Sequence, residues 1–299
     1  MSVTVNIDIG GTFTDFFATE ENGRVSLTKV PTTHYDLSVG FMRGMNELAG
    51  LNDKGLSTFL GEVGAVRYCT TLGTNALIER SGPKLGLITT AGFEDTIYLG
   101  RARSWADGES TRENKDLARI RKPEPLISRN MVVGVEERID SFGNILRPLD
   151  RGEVMEKLQT LVDRGAMGFV VCLLWSFQNP AHERRIKSII EEEYPEDYLG
   201  SMPVNLSSDV SPKSGEYTRF TTTIVNAYIH GLMSQELNKL GLELRDGGYK
   251  RPLLLVHSTG GMKKVSRTRA VLTHNAGPVA GLHGALTLGK RYGYENIIF

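Results

Sequence analysis

Residues 5–9 alternate apolar and polar side chains (Val5, Ile7 and Ile9 against Asn6 and Asp8), the pattern of a strand with one buried face. A second alternating segment begins at Asp15 with Phe16-Phe17-Ala18, and a third covers residues 25–30. Asn22-Gly23 between them is a favoured two-residue hairpin turn, so the chain opens as a three-stranded β-meander. Strands and helices then alternate in the manner of an α/β protein. Residues 66–70 read as a strand, 74–80 as a short helix and 84–89 as another strand. Val154, Leu158 and Leu161 share one helical face, and Gly165 ends that helix. Residues 169–175 form an apolar run suited to a buried strand. Asn179 with Pro180 marks the next helix start, and residues 182–185 read as its exposed first turns.

A long helix is expected over 215–244, where Tyr217, Phe220, Ile224, Tyr228 and Leu232 recur at three- and four-residue spacing. Residues 252–256 read as a buried strand leading to His257-Ser258-Thr259-Gly260-Gly261. Gly277, Ala280, Gly281 and Gly284 make one small face of a final helix, suited to close packing between lobes, with His274 and Asn275 just before it. Residues 296–299 look like a strand just beginning. Between Arg101 and Asn130 periodicity is lost, and basic residues outnumber acids. This reads either as a solvated surface excursion or as an anion-binding or subunit-docking flap with Arg101, Arg103 and Trp105 as its contacts.

The candidate chemistry sits where the first strand ends. Gly10 and Gly11 allow a tight turn whose amide N–H groups can converge on a phosphate oxygen. Asp8 is placed to hold Mg²⁺ through water, and Thr12 and Thr14 add hydroxyls for phosphate or for capping the turn. The plain alternative is an ordinary Gly-Gly hairpin corner. A dinucleotide-binding or P-loop unit would run from its glycines directly into a helix, which the meander excludes. Residues 284–290 do match P-loop spacing, but Arg291 stands where Ser or Thr should be, and the setting is helical.

Other polar residues divide between chemistry and structure. His182 has no partner acid identifiable from sequence and reads as structural. Asn226 lies on the long helix as either a polar contact or a packing residue. His257, at a strand's C-terminal end where ligands favour open α/β sheets, reads equally as a ligand contact or as a buried hydrogen-bonded imidazole.

With 35 basic and 35 acidic residues the net charge is zero, so no global field favours nucleic acid or an anionic membrane. No apolar stretch reaches a membrane span and no secretion signal opens the chain, so a cytoplasmic protein without membrane partners is expected. Cys69 and Cys172 lie in apolar strand-like runs, as buried reduced thiols rather than a disulfide or metal site.

The acid-glycine-glycine corner resembles the first phosphate motif of the superfamily of actin, the 70-kilodalton heat-shock chaperones and the sugar kinases. The rest of the chain is similar to the hydantoinase A, 5-oxoprolinase, acetone carboxylase and acetophenone carboxylase family. The resemblance is carried by Thr70-Thr71-Leu72-Gly73-Thr74-Asn75-Ala76-Leu77-Ile78-Glu79-Arg80, by Glu137-Arg138-Ile139-Asp140 with Gly143, and by Asn179-Pro180-Ala181-His182-Glu183-Arg184-Arg185. Asn226-Ala227-Tyr228, Ser258-Thr259-Gly260-Gly261 and Ala276-Gly277-Pro278-Val279-Ala280-Gly281 extend it. The residues around His257 and His274 look most like an acetophenone carboxylase α-type subunit.

The resemblance implies an actin-like (ribonuclease H-like) lobe with an additional α/β subdomain. It divides the chain into an N-terminal region, 1–180, and the start of a hydantoinase A-type domain, 181–299. Relatives would continue into a second phosphate motif and an adenosine lobe, so the chain reads as truncated after the first lobe, or as completed by another chain, and as inactive alone. The implied activity is ATP- and Mg²⁺-dependent phosphorylation of a carbonyl or enol oxygen before ketone carboxylation. Hydantoinase A- or 5-oxoprolinase-type hydrolysis of a cyclic amide is the alternative, and a sugar or acetate kinase or a non-catalytic interaction module the rivals. Partners would be hydantoinase B-type or other carboxylase subunits and a small carbonyl or cyclic amide substrate. The implied assignments are Asp8 for metal, Gly10, Gly11, Thr12 and Thr14 for phosphate, and Asp8, Thr71, Asn75 and His257 as catalytic or substrate-side groups.

Overall fold

The first strand, β1 (Val3–Ile9), buries Val3, Val5, Ile7 and Ile9 on one face, as its alternation requires. The computed structural model describes residues 3–100, 110, 112–116 and 124–298. The expected flap contacts Arg101, Arg103 and Trp105 lie outside the described residues. β1 pairs antiparallel with β2 (Phe13–Glu20), and β2 with β3 (Val25–Pro31), completing the meander through a turn in which Gly23 adopts φ +85°. Helix α1 (Leu37–Leu51) starts at Asp36, whose carboxylate accepts from the Ser38 amide, and lays Phe41, Met45 and Leu48 on the sheet. Phe41 meets Phe16 and Tyr68 edge to face, with ring centroids 6.2 and 5.9 Å apart. A Cβ on Gly44 would stand 2.2 Å from the Phe16 ring, so this glycine sets how closely helix and sheet approach. Helix α2 (Leu56–Glu62), strand β4 (Val63–Thr70) and helix α3 (Leu72–Glu79) follow, β4 running parallel to β1.

The next segment forms a separate compact unit, Arg80–Tyr228. Its strands β5 (Gly86–Thr90) and β6 (Val132–Val135) are followed by the two-stranded ribbon β7 (Arg138–Ile139) and β8 (Ile145–Arg147); α4 (Thr96–Leu99) lies between β5 and β6. Then come α5 (Arg151–Asp163), β9 (Phe169–Cys172), α6 (Ala181–Glu193), β10 (Val204–Leu206), α7 (Ser207–Val210) and the first turns of α8 (Glu216–Asp246). The sheet order is β10-β9-β5-β6, all parallel, and every β9 side chain is fully buried. Val154, Leu158 and Leu161 of α5 form the expected buried face, and Gly165 takes φ +86° beyond it.

The rest of α8, β11 (Leu254–Val256), β12 (Met262–Lys264) and α9 (Ala276–Tyr292) belong with the first strands in a unit of Met1–Glu79 and Ile229–Phe299. Its sheet order is β12-β11-β4-β1-β2-β3, with β11 parallel to β4. A β-meander continued by parallel strands is the expected actin-like arrangement, and the inserted parallel sheet is the additional α/β subdomain. The compact units change over at 79/80 and 228/229, because β11 returns to the edge of β4 and carries β12 beyond it.

Three local expectations are corrected. The apolar run 169–175 leaves the sheet after Cys172, because the Leu173 and Leu174 amides bond to the Glu183 carboxylate and the Thr90 hydroxyl instead of to a ladder. His182 and Glu183 are buried, not exposed. His182 Nδ1 lies 2.6 Å from Glu137 Oε2, and Glu183 accepts from the Leu173 and Ser208 amides and the Ser207 hydroxyl. At the start of α6 Pro180 takes the cap position rather than the first helical one, and Asn179 before it accepts from the Ala181 amide at 3.0 Å without being the cap. Cys69 and Cys172 are both buried free thiols, as expected.

Candidate functional site

Because neighbouring strands share a face at paired positions, the register lines up polar groups on the side of the first unit's sheet opposite α1. Asp8 stands opposite Asp15 on β2 and Cys69 on β4, Asp15 stands opposite Lys29, and Asn6 stands opposite Arg67. Together they line a cavity of about 900 Å³, closed at one side by Gly277, Ala280 and Gly281 of α9. The small face of α9 thus borders this cavity, a Cβ on Gly277 coming 3.6 Å from Cys69 Sγ. The P-loop-like residues 284–290 lie inside α9 and form no loop.

The glycine corner is pinned from one side. Gly10 N–H donates to the Phe13 carbonyl at 3.0 Å and so is committed to the hairpin. The Gly10 carbonyl accepts from Thr32 Oγ1 at 3.0 Å, and the Gly11 carbonyl lies 2.6 Å from His34 Nε2. Since a trans peptide points its carbonyl and the following N–H in opposite directions, these two bonds aim the Gly11 and Thr12 amides away from Thr32 and His34. Among the described residues neither amide has an acceptor. The corner is exposed at Gly11 and Thr12, and a Cβ on Gly11 would meet nothing within 4 Å, which leaves the room an incoming phosphate needs.

The other expected residues take distinct places. The Thr14 hydroxyl is buried 3.1 Å from Thr32 Oγ1, so Thr14 braces the corner from inside the hairpin. The Thr71 hydroxyl donates to the Ile9 carbonyl, and Asn75 Nδ2 donates to Thr71 Oγ1, which sets both beside the same strand end. His257 is buried, with Nε2 2.9 Å from Thr268 Oγ1; burial and then Lys263 lower its pKa, so the ring is neutral at pH 7. Its main chain closes the β11–β12 turn through Gly260 and Gly261. Asn226 donates to Asn205 Oδ1 in the second unit. The structure therefore brings Asp8, Gly10, Gly11, Thr12, Thr71 and Asn75 to one strand end and holds the His257 ring inside the fold.

Among the described residues, Asp8 is the acid of the cavity without a cationic partner, since Asp15 pairs with Lys29 at 2.9 Å. One side of the Asp8 carboxyl meets solvent. The protein on its other side displaces enough water to raise its pKa; the Cys69 thiol opposes that shift with a hydrogen bond, and the Asp15 charge adds to it. No group of three or more His, Cys, Asp or Glu side chains suited to a metal occurs among the described residues. A single carboxylate is the kind of ligand set that suits Mg²⁺, which keeps several of its waters.

Sequence reasoning passed over two cations here. Arg67 has a buried Nε with no hydrogen-bond partner, and Lys29 lines the same cavity. The signal for Arg67 was present, since it alternates with the buried apolar Val66 and Tyr68 of β4; for Lys29 it was not, since the inward face of β3 carries Ser26 and Thr28 beside Val30. The burial of Cys69 beside Asp8 pushes its thiol pKa up to about 12. Native protein treated with iodoacetamide at pH 8 is expected to remain unmodified at Cys69 and Cys172, read by peptide mass spectrometry; rapid labelling of Cys69 would contradict the raised thiol pKa, since the cavity gives the reagent a path to it.

Family models give matches along most of the chain: the hydantoinase/oxoprolinase N-terminal region at residues 4–194 and hydantoinase/oxoprolinase at residues 219–299. The acetophenone carboxylase gamma subunit of Aromatoleum aromaticum is 44% identical over 297 residues, covering 99% of this chain and 40% of the relative. The subunit matched is thus a gamma, not an α, subunit. The nucleotide-free structure of acetone carboxylase, from work on ATP-dependent acetone carboxylation, superposes with a TM-score of 0.92 at 30% identity, covering 98% of this chain and 41% of that one. The ATP-dependent caprolactamase from Pseudomonas jessenii superposes with a TM-score of 0.85 at 29% identity, covering 99% and 41%. The chain spans about two fifths of the length of these relatives. No helix among the described residues is long and apolar enough to cross a membrane.

Proposed function

This chain belongs to the hydantoinase/oxoprolinase family, and we propose that it supplies the phosphate-holding half of an ATP site in a ketone carboxylase subunit. The observation that carries this reading is the pair of aimed amides at Gly11 and Thr12, standing without acceptors at the strand end that bears Asp8. In this reading the two N–H groups bind oxygens of the transferring phosphoryl group, and Arg67 and Lys29 offset the phosphate charge. Asp8 would hold hydrated Mg²⁺, which would supply neutralising charge to the phosphates. Thr71 and Asn75 present a hydroxyl and an amide on the substrate side of the same corner. His257, neutral and bonded to Thr268, supports the adjoining turn.

A ketone as the substrate class is supported by the greater likeness to a ketone carboxylase subunit, 44% identical, than to the caprolactamase subunit, 29% identical. In this reading a ketone would lose an α-proton to a base as its oxygen takes the γ-phosphoryl group, with ADP as the leaving group, and carboxylation would follow with release of that phosphate. Partner subunits of the hydantoinase B type would carry the later step. The protein acts in the cytoplasm in this reading.

Calorimetric titration with MgADP tests the reading directly. Thr12→Pro deletes one amide donor and its hydroxyl while keeping a turn-compatible residue. It is expected to weaken MgADP binding by about tenfold, the loss of roughly one charge-assisted hydrogen bond. Binding that is absent in the wild type, or undiminished in the variant, would remove the phosphate assignment.

A further inference from the structure

The loop that leads from the end of α8 into β11 borders a second concave site in the first unit, away from the phosphate corner. Strands β1, β4 and β11 run parallel, so the corner that follows Ile9 and the loop that precedes Leu254 lie at opposite strand ends. A cavity of about 240 Å³ lies beside this loop, with the buried side chains Leu244, Tyr249 and Leu253 and the exposed cations Arg245, Lys250 and Arg251 in its lining. All six belong to one compact unit.

Nothing in the lining neutralises the three cations. Among the described residues none of them makes an ion pair or a side-chain hydrogen bond, and no acid lines the cavity. Of the acids nearest in sequence, Glu243 has its Oε1 2.7 Å from the Ser38 hydroxyl, and Asp246 is not part of the lining. A helix C-terminus ordinarily repels an anion through its free carbonyls. Here the Glu243, Leu244 and Arg245 carbonyls accept from the Gly247, Tyr249 and Gly248 amides, which mutes that repulsion. The dipole of α8 accounts for Arg245 in the last turn, but Lys250 and Arg251 follow the end of the helix and do not serve it. The loop that carries them is fixed. Gly248 takes φ +110°, and the Tyr249 hydroxyl accepts from the Val66 amide at 3.0 Å and donates to the Pro252 carbonyl at 3.3 Å.

We propose that this cavity binds a small polyanion, one compound that carries two or three negative charges as carboxylates or phosphates. Three unpaired cations around one concavity repel one another, and a multivalent anion relieves all of that repulsion where a monovalent one relieves only part. The volume falls below the roughly 300 Å³ at which pockets begin to hold drug-sized ligands, which suits a compact anion. The inference goes beyond the nucleotide reading and does not rest on it.

Citrate and pyrophosphate are the probes, one for each anion chemistry, with acetate as the monovalent comparison; each is titrated calorimetrically at fixed ionic strength without Mg²⁺ or nucleotide. The wild type is expected to bind citrate or pyrophosphate with a Kd of about 1 mM or tighter, and acetate about tenfold more weakly or not at all. The tighter of the two identifies the anion chemistry. Arg245→Gln combined with Arg251→Gln is expected to weaken the bound polyanion by about tenfold and to flatten its salt dependence. Both side chains are exposed, so an unchanged melting temperature is expected, and Lys250→Gln should act in the same direction. Lys290→Gln with Arg291→Gln removes the same charge from the last turn of α9 and is expected to leave binding unchanged. No binding of either probe by the wild type, acetate bound as tightly, or equal losses in the two double variants overturns the proposal. Pyrophosphate affinity that falls in Thr12→Pro and not in the arginine variant would put the anion at the phosphate corner and overturn it as well. Because MgADP titration reads the corner, loss of one site and survival of the other are distinct results.

Discussion

Replacing Glu183 with alanine is expected to cost the second unit about 3–5 kcal/mol of stability, the range for removing one member of a buried charged network. Glu183 is fully buried and Arg219 is 1% exposed, yet the two charges meet through a relay rather than directly. The Ser207 hydroxyl donates to Glu183 at 2.6 Å and accepts from Arg219 Nε at 3.2 Å, with Ser176 3.0 Å away. Arg219 also donates to the Leu173 and Lys213 carbonyls and lies over the Phe177 and Phe220 rings. Alanine would strand the Leu173 and Ser208 amides and leave the guanidinium charge uncompensated. Urea unfolding followed by a probe in the second unit should read the loss; a change below about 0.5 kcal/mol, the level of ordinary surface substitutions, would mean the network contributes nothing net.

The same carboxyl predicts a pH slope. Desolvation raises the Glu183 pKa against the lowering effect of its hydrogen bonds. The native state therefore keeps a proton that the unfolded chain releases, and its contribution is complete below the ordinary glutamate range and lost as pH rises through the elevated value. Glu183→Gln should lose this slope.

How far these features could be read from sequence depended on whether the cause was local. The meander was legible because alternation and Asn22-Gly23 are near-neighbour effects, and the α5 stripe because Val154, Leu158 and Leu161 lie within one helix. The exit from β9 was not, since the groups that end it, Thr90 and Glu183, are distant in sequence and face Leu174 and Leu173 only after folding. For the same reason His182 had no identifiable acid: Glu137 lies 45 positions earlier. At the candidate site, Asp8 and the glycines stood out as a compact motif. The aiming of their amides depends on Thr32 and His34, and the cations Lys29 and Arg67 come to the same cavity as Asp8 only through strand register, which no single stretch of sequence displays.

Asp8→Asn is expected to keep the fold and to remove the Mg²⁺-dependent part of nucleotide affinity, a loss of about tenfold to a hundredfold given a carboxylate that still meets solvent on one side. The wild type should also show a diagnostic pH dependence. Partial burial raises the Asp8 pKa above its ordinary 3.8, Cys69 lowers it in part, and Asp15 raises it further. The ionised form is the one that serves hydrated Mg²⁺, so MgADP affinity should decline as pH falls through that elevated value, at a higher pH than an ordinary aspartate would give. Asp15→Asn removes the neighbouring charge and should move the decline to lower pH, whereas Asp8→Asn should be flat over the same interval. Calorimetry at matched ionic strength across the acidic range measures all three. A decline that survives in Asp8→Asn assigns the proton to another group, and equal Mg²⁺ enhancement in wild type and Asp8→Asn takes the metal away from this carboxylate.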